Sequence, residues 1–154
     1  DCIPGVSLST DVIVGFSGET DEQFQQTYEL VHDLRFDKIH IAEYSIREGT
    51  ISSRTMEYTV PSEDKRDRKV SLEKLQGAIA AEINEKLLGQ TMDVLVENVR
   101  KGKAYGRNRN DKLVHIENAE RLVGDIVPVQ IVKTSPLALQ ATLQETLVLS
   151  GERV

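Results

Sequence analysis

Between positions 100 and 112 the chain holds six basic residues (Arg100, Lys101, Lys103, Arg107, Arg109 and Lys112) against one acid, Asp111. Tyr105 lies among them and His115 just beyond. Cationic side chains neutralise phosphates, and an aromatic ring offers a nucleobase a stacking platform. Strand residues two apart share a face, so Lys103, Tyr105, Arg107 and Arg109 are expected on one side of a ribbon. The stretch reads as a nucleic-acid surface or as a solvated charged hairpin. A second constellation is DVIVGFSGET, Asp11 to Thr20. There Gly15 and Gly18 stop a β-branched run just before a helix start. Such a turn lets a ligand approach the backbone and presents free N–H groups. It matches neither the dinucleotide fingerprint nor the phosphate loop, and a plain strand-to-helix turn is the alternative.

Other chemistry is excluded by residue type. Cys2 is the one cysteine, and His32, His40 and His115 are widely separated. Neither an internal disulfide nor a cluster held by this chain's own thiolates follows, and no metal site is visible. A lone cysteine fits a reducing cytoplasm. No G-x-S-x-G string supports a hydrolase, and Glu43 and Glu48 around Tyr44 read as strand-end and loop charges. No apolar run approaches the ~20 residues of a membrane span.

The elements that must position these residues fall into three segments. Thr10–Gly15 predicts a buried parallel strand. Thr20 with Gln23 forms a capping-box pattern before a helix whose apolar face carries Phe24, Thr27, Tyr28, Val31 and Leu34. Lys38–Ser45 predicts a second strand, and the three make a βαβ unit that cannot cover its own strands. Pro61 and Ser62 open a long helix with a stripe of Leu72, Leu75, Ile79 and then Ile83 or Leu87, closed by Gly89. It reads as a connector. Short strands follow at 91–99, 104–109, 112–116 and 126–133, separated by glycine and Asn/Asp turns, which predicts a small antiparallel barrel. Leu143, Leu147, Val148 and Leu149 add a last strand or belong to a frayed tail.

Charge divides along the same line. Residues 1–87 carry 10 Lys/Arg and 17 Asp/Glu, residues 88–140 carry 8 and 6, and residues 141–154 carry 1 and 2. The net charges of −7, +2 and −1 add to the −6 of the whole chain. An acidic front and a basic back imply different partners.

The string STDVIVGF-x-GET-x-E-x-F, Ser9 to Phe24, resembles the late-barrel strand of radical S-adenosylmethionine tRNA methylthiotransferases of the MiaB type. Matches continue in order through Arg35-Phe36-Asp37-Lys38, Tyr44-Ser45, Gly49-Thr50, Ala81-Glu82-Ile83-Asn84 and Leu88-Gly89-Gln90-Thr91. Tyr105-Gly106-Arg107-x-Arg109, Lys112-Leu113-Val114-His115 and Leu122-Val123-Gly124 resemble the RNA-binding TRAM domain that ends such enzymes.

The resemblance implies an α/β fragment at 1–60, the last βα units of a partial barrel. A connecting helix at 61–88, an all-β, OB-like TRAM barrel at 89–142 and a tail at 143–154 follow. It also implies cofactor contact by Ile13 and Gly15 near the adenine, Gly18 and Glu19 in the adjoining turn, and Tyr44 on the next wall. RNA contact falls to Arg100, Lys101, Lys103, Tyr105, Arg107, Arg109, Lys112 and His115. The family usually has proline where this chain has Ser17, Glu43, Ile46 and Glu48, so a looser turn and loop are expected.

The implied activity is cytoplasmic methylthiolation of an isopentenylated adenosine beside the tRNA anticodon. The full-length enzyme uses S-adenosylmethionine and two 4Fe-4S clusters. The C-x-x-x-C-x-x-C cluster motif is absent here, so this chain is expected to bind no cofactor by itself and to be inactive alone. Three alternatives stand: the ribosomal-protein methylthiotransferase relative, a free-standing RNA-binding module, and an assembly role through exposed strand edges.

Overall fold

The computed structural model describes residues 3, 5–55 and 60–144. It divides into two compact units, Ser7–Ala80 and the described residues from Ala81 onward together with Ile3, Gly5 and Val6.

In the first unit β1 (Ser9–Val14) and β2 (Lys38–Glu43) pair in parallel, in register from Ser9 opposite Lys38 to Val14 opposite Glu43. Between them runs α1 (Asp21–Leu34). Its start is the predicted reciprocal cap. Gln23 N–H donates to the Thr20 hydroxyl at 3.3 Å, and Thr20 N–H donates to Gln23 Oε1 at 3.0 Å. A one-turn helix, α2 (Ile51–Thr55), stands where the sequence predicts only loop. The long helix α3 covers Ser62–Glu85. Val14, Val31, Ile39, Val60, Leu72, Ile79 and Ala80 are buried in this unit. Val14 and Ile39 belong to one face of the sheet, while Ser9, Asp11, Ile13, Lys38, His40 and Ala42 lie exposed on the other. Among the described residues each strand has a neighbour on one side only.

The α3 stripe is only partly apolar. Leu72 and Ile79 are buried and Leu75 and Ile83 half-buried, as their spacing predicts, but Arg68 is buried on the same stripe, and Asn84 is buried on a different side of the helix. A buried polar group must find a partner, so each marks a tie to other backbone. Asn84 donates to the carbonyls of Ser135 at 2.8 Å and Pro136 at 3.4 Å.

The second unit is a closed barrel of β3 (Thr91–Arg100), β4 (Lys103–Asn108), β5 (Leu113–Glu117), β6 (Ile126–Thr134) and β7 (Leu139–Leu143). The order is β3-β4-β5-β7-β6, with β6 returning to β3. This is the first-second-third-fifth-fourth circuit of an OB-like barrel. The expectation of a wholly antiparallel barrel needs correction, because β5 and β7 run parallel. Five strands cannot alternate direction around a closed ring without one parallel pair. The last strand is also earlier than the leucines from 143 onward suggest, and residues 145–154 lie outside the described ones.

Alternation fills the barrel. Val94, Val96, Ala104, Val114, Ile116, Val127, Val129, Ile131, Leu139 and Ala141 point inward, with Ala119 from the loop. A bulge at Glu97 shifts β3 by one residue, so that Val96 faces Gly106 but Asn98 faces Tyr105. Here the strands approach so closely that a Cβ on Gly106 would lie 1.8 Å from the Leu95 carbonyl oxygen. Only glycine fits there.

Candidate functional sites

At the carboxyl end of β1 the chain turns through Gly15 and Gly18, with φ of 71° and 82°. Both angles lie in the left-handed region that glycine enters without steric cost. Glu19 closes the turn. Its N–H donates to the Phe16 carbonyl at 2.9 Å, and its Oε2 accepts Gly15 N–H at 2.6 Å. The same Oε2 accepts from Arg68 Nη1 at 2.6 Å, while Arg68 Nη2 reaches Asp21 Oδ1 at 2.6 Å. The Arg68 and Glu19 side chains are 9% and 13% exposed, against 94% for Asp21, so the Glu19 arm is the desolvated one. Burial opposes the Arg68 charge, yet hydrogen bonds to Asp21 and Glu19 outweigh it and raise its pKa. These bonds fasten a turn in which Ser17 replaces the expected proline. Likewise Thr50 ties down the 47–53 loop through Arg47 O at 2.8 Å and Ser53 N–H at 3.3 Å.

Tyr44 follows β2 and donates its N–H to the Val14 carbonyl at 2.9 Å. Its hydroxyl meets Ser52 Oγ at 2.7 Å, and its ring is tilted against Phe16 with centroids 4.7 Å apart. Lys65 lies 5.6 Å from the ring centre and donates to the Tyr44 carbonyl at 3.1 Å. Lys65 also fills the space beside Gly15, its Cγ being 2.3 Å from where a Cβ would stand. The five sequence-derived candidates therefore differ in placement. Ile13 is on the open face at 56% exposure and Gly18 is exposed. Gly15 is buried, Tyr44 half-buried in its own cluster, and the Glu19 carboxylate is engaged inside the turn. Asp11 and His40, opposite each other on that open face, were not singled out by sequence. Their two-residue spacing from Ile13 and Ala42 was the available signal.

On the barrel, Lys103, Tyr105 and Arg107 alternate with buried Ala104 and Gly106, so these three share the outer face. Arg109 does not continue the row, because β4 ends at Asn108 and Arg109 belongs to the following turn, where it is exposed. Arg100 ends β3, and Lys101 (φ 51°) and Gly102 form the hairpin turn to Lys103. Arg107 is already engaged. Its Nη1 donates to Asp111 O at 2.8 Å and Oδ1 at 3.0 Å, and its Nε lies 3.8 Å from Glu97. Asn108 Oδ1 accepts the N–H groups of Asn110 and Lys112, each at 3.0 Å. Arg107 and Asn108 thus shape the turn that presents Arg109. Lys112 and His115 are half-buried, at the approach to and the middle of β5. Among the described residues no cluster of His, Cys, Asp and Glu has the makings of a metal site, and no helix is long and apolar enough to cross a membrane.

Residues 85–143 match the TRAM domain. Over 147 residues, 93% of this chain, it is 46% identical to a tRNA-2-methylthio-N(6)-dimethylallyladenosine synthase of Herpetosiphon aurantiacus and 47% identical to one of Roseiflexus sp.. A synthase of the same name from Chloroflexus aurantiacus is 44% identical over 145 residues. The chain spans about a third of the length of these curated relatives, 33%, 31% and 31%. It is a relative of the tRNA-2-methylthio-N(6)-dimethylallyladenosine synthases that carries a TRAM domain in its second unit.

Proposed function

We propose that this chain is the RNA-gripping, pocket-completing part of a cytoplasmic tRNA methylthiotransferase acting on an isopentenylated adenosine. The closed barrel carries the reading. It coincides with the TRAM match, and its strands and turns present Arg100, Lys101, Lys103 and Arg109 without an ion pair among the described residues. Such cations grip phosphates and carry no sequence information, which leaves selectivity to RNA shape and to the modifying pocket.

S-adenosylmethionine supplies the methyl group and the radical precursor in such chemistry. The first unit fits its adenine in one respect, an apolar Ile13 on an open sheet face at a strand end. Gly15 and Glu19 then act one step back, holding the turn rather than touching a ligand. An iron–sulfur cluster does not fit this chain, since one cysteine cannot replace three thiolates, and in this reading those come from outside it. The two-stranded sheet likewise completes a larger barrel, or pairs with a second copy through its open edges.

The test is binding of tRNA to the full chain across a salt series. The affinity should fall steeply, with log K changing by about −0.7 per log unit of salt for each phosphate gripped on a single strand. Arg109→Ala should remove about one such unit. Arg107→Ala should change the slope less, because its charge is spent on Glu97 and Asp111. Binding that ignores salt would sink the proposal.

A further inference from the structure

We propose that the outer row Asn98–Tyr105–His115–Gln140–Lys133 seats unpaired RNA nucleotides, an assignment that rests on the RNA-binding reading above. Backbone register defines the row. Asn98 stands opposite Tyr105, Tyr105 opposite His115, His115 opposite Gln140, and Gln140 opposite Lys133. The strand neighbours of Tyr105, His115 and Gln140, namely Ala104, Gly106, Val114, Ile116, Leu139 and Ala141, are buried, which puts these three side chains on the outer wall, and Asn98 and Lys133, themselves exposed, flank them by register. The row crosses all five strands, in the order β3, β4, β5, β7, β6.

The chemistry of the row is graded. Two rings stand side by side at its centre, with opposite positions ~4.5–5.5 Å apart at Cβ. Both are half-exposed, and neither makes a side-chain hydrogen bond or ion pair among the described residues. Gln140 and Lys133 are exposed and equally unpartnered there. The Asn98 side-chain Oδ1 accepts Val99 N–H at 2.7 Å, which leaves its amide NH2 to donate. Rings stack on bases, amides read base edges, and a terminal ammonium meets a phosphate. Arg100 and Lys103, paired in register two residues along from Asn98 and Tyr105, add cations about 7 Å away, within a nucleotide's reach. The row alongside, with Leu95, Arg107 and Leu113, lacks this character because its cation is engaged.

A paired helix hides the faces of its bases, so rings of this kind serve splayed nucleotides of a loop or end. The experiment titrates the full chain with a short single-stranded RNA and with a blunt duplex of the same strand, by fluorescence anisotropy. Tyr105→Ala and His115→Ala should each weaken single-strand binding about tenfold with an unchanged salt slope, and Tyr105→Phe should bind like the parent. Duplex binding should change less than about twofold in all three. Equal losses on both RNAs would overturn the row. So would undiminished single-strand binding in both alanine variants while Arg100→Ala with Lys103→Ala still weakens it. A parent chain that binds neither RNA overturns the RNA-binding reading itself. Melting curves accompany each variant, and His115→Ala with Tyr105→Phe decides the matter if Tyr105→Ala melts early.

Discussion

Every strand of the barrel has a hydrogen-bonded neighbour on both sides, whereas β1 and β2 have one each among the described residues. The barrel's order comes from closure, and ten of its inward strand side chains make one core. The βαβ unit has an uncovered sheet face, and its glycine turn is held by a polar knot of Gly15, Glu19, Arg68 and Asp21. The difference teaches where each unit is vulnerable. A closed sheet fails when two strands cannot approach, and an open one fails when its fastening is cut.

Gly106→Ala should have the largest effect. The new Cβ would meet the Leu95 carbonyl, a backbone atom that moves only if β3 moves, so a loss of roughly 3 kcal/mol or more is expected. Gly77, in α3, is the matched control, because nothing lies within 4 Å of its Cβ position. Gly77→Ala should stabilise by about 0.5–1 kcal/mol, and thermal melts of the two variants would show opposite shifts.

Arg68→Ala comes next. It strands the desolvated Glu19 carboxylate, at a cost of about 3 kcal/mol, while Asp21→Asn should stay within ~0.5 kcal/mol because that arm is solvated. Denaturant titration followed through residues 7–80 measures both. Equal costs would show that the two carboxylates share the load.

Hydrogen exchange sharpens the contrast without mutation. Amides of β3–β7 should exchange through rare barrel opening, and those of β1 and β2 faster. Uniform protection in a strict monomer would remove the distinction drawn between open and closed sheets.

The smallest effect concerns Glu22, whose own backbone N–H and the Thr20 hydroxyl hold its carboxyl below the usual glutamate range. A carboxyl with a lowered folded pKa stabilises above its unfolded value and loses that contribution as pH falls through the folded one. The melting temperature of Glu22→Gln should therefore fall slightly below the parent at neutral pH and converge with it in acid.

Local chemistry was legible in the sequence, and long-range registration was not. The Thr20–Gln23 cap and the glycine turn depend on residues three or four apart, and both stand where their spacing put them. The strands of the barrel show their alternation, whereas the close backbone approach at Gly106 emerges only from the pairing of β3 with β4. Arg107 is different. Its partner Glu97 is brought beside it by a bulge that no local pattern announces. Gln140 and Lys133 join the outer row only because β7 slots beside β5, a pairing set by closure of an odd-numbered ring. Arg68 stands in a charge-rich stretch, Glu63 to Lys69, that does not single it out, and only the fold brings it to Glu19.

The position of β7 has a consequence for the newborn chain. Being the final strand of the ring yet lying between β5 and β6, it is the keystone rather than the last stone of the row. Until Leu139–Leu143 has left the ribosome, β5 and β6 both present raw edges and the hydrophobic interior has a slot in its wall. Folding of this unit is thus deferred to the end of its own synthesis, while β1, α1 and β2 have all the residues of their pairing long before. A stall or a premature stop just short of Leu139 would release four strands with two sticky margins, the kind of species that chaperones and proteases remove.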